Sequence, residues 1–403
     1  MSKLSLLAMR VLILNSDSPN NRGDRAILAG MINLIKTIRP EAQITALSQF
    51  KQRDEQWFGI SFLGFSPYSL SPINMLRLMI EARRADVVLF GGGELLKDYT
   101  NKLSLYYWLT KLSLIKLVNK NIIGAFQGIG PTSAKSSKNL IRQTVDRCKV
   151  FLTRDQESVD KLETWGVKTK LIASFDPAVF ISSDAADVSA NTDLDAYGRG
   201  FVGLGLRRWF HYSPGGFLPK KFRKDEVTET ETKYLEACAD MADKIFIRFK
   251  KQVLFFPMHL SENEGDEAFA NNVISRMRHP EAAKVVTGDN LSPDDYLALI
   301  ARSDWFIGSR LHSTILATVA NVPSMVLYYV DKGRLFFEQL ELEEFSYPIE
   351  RMLEPEFPAI ITKQLGDFSD EAIFIAKEQQ RGLERMRDKL ILDLETAFKE
   401  LSL

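Results

Sequence analysis

The chain has 403 residues, 45% of them hydrophobic and 26% charged, which supplies apolar side chains for more than one core and excludes wholesale disorder. Its 52 Lys plus Arg balance 52 Asp plus Glu, so no global field would hold it on nucleic acid or on an anionic membrane. Two well-separated cysteines, Cys148 and Cys238, exclude a disulfide framework and a CxxC metal site and fit a reducing compartment, while four histidines argue against a His-rich metal centre.

The stretch Met1 to Met9 has one lysine and an apolar run too short for a secretory signal, so a cytoplasmic location is expected. Arg10 to Asn15 (RVLILN) is a buried first strand. A polar turn, Ser16 to Gly23, leads into a helix from Asp24 to Ile38, where Ile27, Met31, Leu34, Ile35 and Ile38 recur at helical spacing. Further strands are expected at Ala42 to Leu47, Asp86 to Phe90, Ile122 to Phe126, Val150 to Thr153 and Lys168 to Ala173. Between them, Leu103 to Val118 is an apolar helix broken by Lys111 and Lys116, and so not a membrane span. Its Tyr106, Tyr107 and Trp108 suit either a core-packed helix, the plainer reading, or a peripheral membrane contact that reaches a lipid-linked acceptor.

Residues 183–200, rich in Asp, Ala and Ser without apolar period, read as a linker. A second series follows, with strands at Phe201 to Leu206, Val253 to Phe256, Lys284 to Val286, Trp305 to Ile307 and Ser324 to Tyr328, and a helix from Glu229 to Phe249. The chain closes on an amphipathic helix or helix pair, Asp370 to Ser402, expected to brace the first half. The division is thus 1–182, an N-terminal Rossmann-like domain; 183–200, the linker; 201–369, a C-terminal Rossmann-like domain; and 370–403, the closing helix. This is an α/β fold of two Rossmann-like domains facing a central cleft, with function in the loops that follow strands.

Four constellations fall in such loops. Asn21, Gly23 and Asp24 open the first helix, where Asp24 can cap it and backbone N–H groups suit an anion or sugar hydroxyls. Gly91, Gly92, Gly93 and Glu94 follow the strand ending at Phe90, and Gln127 to Pro131 repeats the situation one strand on; glycines admit a close ligand, and Glu94 can hold hydroxyls or act as a base. Ser309, Arg310, His312 and Ser313 surround a strand-to-helix junction, joining a fixed guanidinium to a side chain that titrates near neutrality. Arg207, Arg208, His259 and Lys332 stand at other strand ends of the second series, Arg207 for anion binding and Arg208 equally at home on a solvated surface.

Asn21-x-Gly23-Asp24, DVVLFGGGE (86–94), QGIGP (127–131), Arg154-Asp155-x-Glu157-Ser158, Asp176-Pro177-Ala178 and SRLHS (309–313), followed by Pro323 and Lys332, together resemble the polysaccharide pyruvyl transferase family over roughly residues 10–340. The resemblance implies a GT-B-like fold and transfer of pyruvate from phosphoenolpyruvate to a sugar as a ketal, in exopolysaccharide or cell-envelope biosynthesis. It casts His312 and Arg310 as catalytic. Arg207, Ser309, Arg310, Ser313, His259 and Lys332 become the donor site, and Asn21, Gly23, Asp24, Gly92, Gly93, Glu94 and Gln127 the acceptor side, with a saccharide or lipid-linked saccharide as partner and no metal or further cofactor. A basic stretch, Trp209 to Val227, is an expected insertion that weakens the equivalence of Arg207 with the family's strand-end arginine. The competing readings are a GT-B glycosyltransferase or sugar-nucleotide epimerase using a uridine diphosphate sugar, opposed by the lack of an E-x7-E pair in Glu338 to Glu350, and a non-catalytic sugar-binding protein.

Overall fold

The computed structural model describes residues 8–15, 20–98, 102–182, 192–209, 229–260, 265–288 and 290–402. The segment 1–7, residues 16–19 of the first turn, 183–191 of the expected linker and 210–227 of the expected insertion lie outside them.

Continuous apolar runs such as VLIL and VVLF form strands buried on both faces, as parallel sheets require. The first sheet comprises β1 (Arg10–Leu14), β2 (Gln43–Leu47), β3 (Ser61–Leu63), β4 (Val87–Leu96), β5 (Ile122–Ile129), β6 (Val150–Thr153) and β7 (Lys170–Ala173), in the order β3-β2-β1-β4-β5-β6-β7. The second comprises β8 (Phe201–Gly205), β9 (Val253–Phe255), β10 (Ala283–Val285), β11 (Ser303–Gly308), β12 (Ser324–Tyr328) and β13 (Ser346–Pro348), in the order β10-β9-β8-β11-β12-β13. Every pairing within both sheets is parallel. Both sheets wind the same way, so each has its topological switch between its first strand and the one beside it, β1/β4 and β8/β11.

The helices, in chain order, are α1 (Arg22–Ile38), α2 (Lys51–Phe58), α3 (Pro72–Arg84), α4 (Leu103–Val118), α5 (Lys135–Val145), α6 (Gln156–Thr164), α7 (Glu229–Phe249), α8 (Asp266–Ile274), α9 (Pro293–Ile300), α10 (Leu311–Val319), α11 (Lys332–Gln339) and α12 (Phe357–Glu400). In the first domain α1 packs Ile27, Met31, Leu34 and Ile35 on one face of the sheet, in a core continuous with the second domain. On the other face α3 and α4 pack Leu78, Ala82, Leu105, Trp108 and Leu112 over Leu12, Val88 and Phe90.

Three local expectations change. α1 begins at Arg22 because Asn21, not Asp24, is its cap: the Asn21 side-chain oxygen accepts from Gly23 N at 3.0 Å. β4 does not stop at Phe90 but continues through the glycines to Leu96, pairing Gly91 with Ala125 and Gly93 with Gln127. Gly91, Gly92 and Gly93 all have positive φ, 129°, 94° and 88°, which few other residues tolerate. The closing segment is one helix of 44 residues beginning at Phe357, well before Asp370.

α12 crosses from one domain to the other. Gln379 donates to Ser324 Oγ in the second, whereas Arg387 donates to the Val179 carbonyl and Lys170 pairs with Glu400 in the first. The domains also touch directly: Arg22 N donates to Met258 O at 2.9 Å and Leu260 N to Asn20 O at 2.7 Å, an antiparallel bridge of Asn21 with His259. Arg22 extends the latch, donating to the Gly288 carbonyl at 2.6 Å with its guanidinium 4.0 Å from the Tyr296 ring centroid.

Candidate active site

The loops after the switch-point strands of both sheets meet between the domains. The turn after β11 carries His312 on the first turn of α10. Its imidazole enters the first domain, lying so close over Gly23 that a Cβ there would collide with Nδ1. On the far side of the ring, Nε2 stands 3.4 Å from Asp176 Oδ2, just after β7. Distance suits an ion pair, but the alignment is poor for a hydrogen bond, and neither atom has another hydrogen-bond partner among the described residues. Burial raises the Asp176 carboxyl, yet the nearby His312 and Arg154 outweigh it and hold the group below the usual carboxylate range.

A run of alternating charge continues from there. Arg154, following β6, reaches Asp176 at 3.5 Å and Glu94 at 3.2 Å; Glu94 in turn lies 3.6 Å from Lys97 and 3.8 Å from Lys332. His312 and Lys332 belong to the second domain and the groups between them to the first, so the run starts and ends across the cleft. Glu94, Gly130, Arg154, Tyr329 and Lys332 line a cavity of about 260 Å³ at its end.

Tyr329, one residue past β12, has the Arg207 guanidinium 4.3 Å from its ring centroid. Burial would raise its phenol, but Lys332, Arg207 and Arg310 together bring it down to about 8. The folded state therefore binds fewer protons than the unfolded chain between about 8 and the ordinary value of 10, and stability contributed by Tyr329 grows as pH rises through that window and is lost as pH falls through about 8. Tyr329→Phe is expected to flatten this alkaline rise in denaturation midpoint and to remove one phenol from an ultraviolet titration near pH 8. An unchanged titration would mean that the three cations do not act on this ring.

The remaining expected residues are placed as follows. Arg310 does not point an empty fork at the cleft: its Nε and Nη2 lie 2.7 and 2.6 Å from the two carboxylate oxygens of Asp266, a bidentate pair. Arg207 is buried and donates to the Arg208 carbonyl, and Arg208 is held by Glu231 on α7 rather than solvated. His259 donates its backbone N–H to Asp266 at 2.9 Å. Ser309 and Ser313 are buried, Ser313 Oγ donating to the Arg310 carbonyl at 2.7 Å, so both shape the junction rather than line the cavity. Asn21 and Asp24 are hydrogen-bonded to each other at 2.9 Å within the helix start. Gln127, expected on the acceptor side, is fully buried and donates to the Phe90 carbonyl beneath Gly91. Gly92 and Gly93 are buried too, while Glu94 lies 3.8 Å from Lys332 and acts with it and Arg207 on Tyr329.

Asp176, Arg154, Tyr329 and Asp266 were absent from the expected site. The first three each follow a strand closely, a signal available from sequence; Asp266 opens α8 and carries none.

Two Rossmann-like domains with switch-point loops converging on one cleft define a GT-B-like protein. The polysaccharide pyruvyl transferase family model matches residues 21–331, and the chain belongs to that family of transferases. It is 19% identical to the amylovoran biosynthesis protein AmsJ of Erwinia amylovora over 93% of this chain and 96% of that one. Similar solved structures include Anabaena Alr3699/HepE in complex with UDP-glucose (TM-score 0.61, 13% identity, 96% of this chain and all, 100%, of the other). Another is the Neisseria meningitidis UDP-GlcNAc 2-epimerase bound to UDP-GlcNAc (0.59, 10%, 97% and 100%). At these identities the structural likeness concerns the fold.

Proposed function

We propose that the protein transfers the enolpyruvyl unit of phosphoenolpyruvate to two hydroxyls of one saccharide, forming a pyruvate ketal and releasing phosphate. The observation that carries this reading is the cross-cleft pairing of His312 with Asp176, beside the cations Arg207, Arg310, Lys332 and Arg154. A donor with both a carboxylate and a phosphate calls for several cations at once, and a titrating group is needed where its methylene carbon is protonated.

In this reading Arg207 and Lys332 bind the donor anions, and Arg310, oriented by Asp266, adds its charge from behind. The His312 imidazole, with Asp176 beside its Nε2, is the group that exchanges a proton with the ligand. His312 delivers that proton to the methylene carbon, and Asp176 stabilises the imidazolium. The first hydroxyl bonds to the resulting oxocarbenium-like carbon and returns its proton to His312. The carbon–oxygen bond to phosphate then breaks, and the second hydroxyl closes the ring, its proton leaving with the phosphate. One hydroxyl proton thus ends in the methyl group and the other on the departing phosphate. Glu94, on the first-domain side, is suited to orient the acceptor hydroxyls.

Thermal denaturation with phosphoenolpyruvate, uridine diphosphate and uridine diphosphate sugars tests the donor. Saturable stabilisation by phosphoenolpyruvate is expected, about 2.7 kcal/mol at a hundredfold excess over Kd, with phosphate release once an acceptor is supplied. Stabilisation by the nucleotide alone would overturn the assignment and favour a nucleotide-sugar enzyme.

A further inference from the structure

We propose that the outer face of the first domain, formed by the 66–71 loop, α3 and α4, docks on an anionic lipid bilayer. Ile73, Leu76, Ile80 and Arg83 follow one another at helical spacing along the outside of α3, and Leu103, Tyr106 and Leu117 do so along α4, which packs beside it. These side chains are well exposed, Leu70 82%, Ile73 72%, Leu76 60% and Leu117 77%, and Tyr68 and Tyr106 stand out with them. Such a row exceeds the singly scattered apolar residues of an ordinary surface.

The loop is held in this posture from beneath. Lys111 Nζ, on the buried side of α4, donates to the Pro67 carbonyl at 2.5 Å and to the Tyr107 hydroxyl at 3.0 Å, and the Tyr107 hydroxyl itself donates to Pro67 O. Of the aromatic trio on α4, Trp108 is buried against Phe90 and Tyr107 is half-buried, which leaves Tyr106 outward. The apolar surface is therefore supplied as much by α3 as by α4.

Charge selects the occupant. Arg77, Arg83 and Arg84 are exposed on α3 and Lys120 just past α4, and Glu81 is the single acid of the two helices. An anionic leaflet complements these cations while its acyl boundary receives the apolar side chains. Both helices run back from the carboxyl ends of the strands, so their first turns, with Ile73, Leu76, Leu103 and Tyr106, lie at the end of the sheet that forms the cleft. Docking there brings the acceptor side of the cleft toward the bilayer surface.

Co-sedimentation of the full chain with vesicles tests this without donor or acceptor, so its result is separable from that of the transfer reaction. Binding is expected to vesicles of phosphatidylcholine mixed one to one with phosphatidylglycerol, and little to phosphatidylcholine alone. The double variant Ile73→Glu/Leu76→Glu, at exposed positions, is expected to lower the partition coefficient at least about tenfold with an unchanged melting curve. Arg83→Gln/Arg84→Gln is expected to weaken binding less and to reduce its salt sensitivity. No binding to the anionic vesicles, or equal binding by the Ile73→Glu/Leu76→Glu variant, would overturn the proposal. So would light scattering that shows a dimer which that variant splits, because the face would then be a protein interface.

Discussion

His312→Gln is expected to lower turnover by about 100-fold or more, the loss typical of removing a general acid, while donor binding and folding stay close to the parent. Glutamine keeps a polar group facing Asp176 but cannot deliver a proton. The ring is held between Gly23 and Asp176, so the effect is specific to chemistry rather than to packing of the α10 helix, whose buried residues are Leu311, Ser313 and those following. Phosphate release under saturating donor, together with calorimetric donor affinity, separates the two contributions. Activity within a few-fold of the parent would move the acid role to Glu94 or His259. Asp176→Asn should produce a smaller drop, because it leaves the imidazole in place and removes only the charge that stabilises its protonated form.

Asp266→Ala is expected to destabilise the protein by about 3 to 5 kcal/mol, the cost of breaking a buried ion pair by removing one partner. Asp266 is fully buried and accepts from four donors: Met258 N at 3.1 Å, His259 N at 2.9 Å and two nitrogens of Arg310 at 2.7 and 2.6 Å. Truncation removes this acceptor from all four, including the backbone of the strand-end loop that bridges to Asn20 and Arg22 in the other domain. Urea denaturation measures the loss, and a change below about 1 kcal/mol, the size of an exposed pair, would show that water replaces the carboxylate. The additional variant Arg310→Met should recover part of the stability by removing the stranded charge.

The fold was legible because buried parallel strands print as unbroken apolar runs, and RVLILN, DVVLF and IIGAF need no periodicity to be recognised. β3 and β13 escaped, since SFL and SYP carry no aliphatic run of the kind that marked β10, an edge strand of the same length. GGG was read as a ligand-admitting loop after the strand because composition does not tell whether glycines at positive φ leave the sheet or stay paired within it, as they do against β5. The strand-end rule selected His312, Arg207, Glu94 and Lys332, which the structure sets at strand ends beside the cleft. Applied equally to β6, β7 and β12 it would have delivered Arg154, Asp176 and Tyr329. It also selected Gln127 and Ser313, because it does not distinguish a polar side chain that enters the cleft from one turned inward to satisfy a neighbouring carbonyl. Asp266 had no local signature: its partner is 44 residues away and only folding joins them.

The closing helix has a consequence for how such a protein can be taken apart. Its early turns complete the second half of the chain, but its last turns, with Leu394, Ala397 and Phe398, are buried, and Arg39 of the first half lies over the Phe398 ring. A cut at the connector therefore leaves both pieces incomplete, one lacking its lid and the other trailing an apolar strip made for an absent neighbour. The halves share a winding pattern without being interchangeable modules, and a chimera that swaps one must graft the matching end of the helix with it.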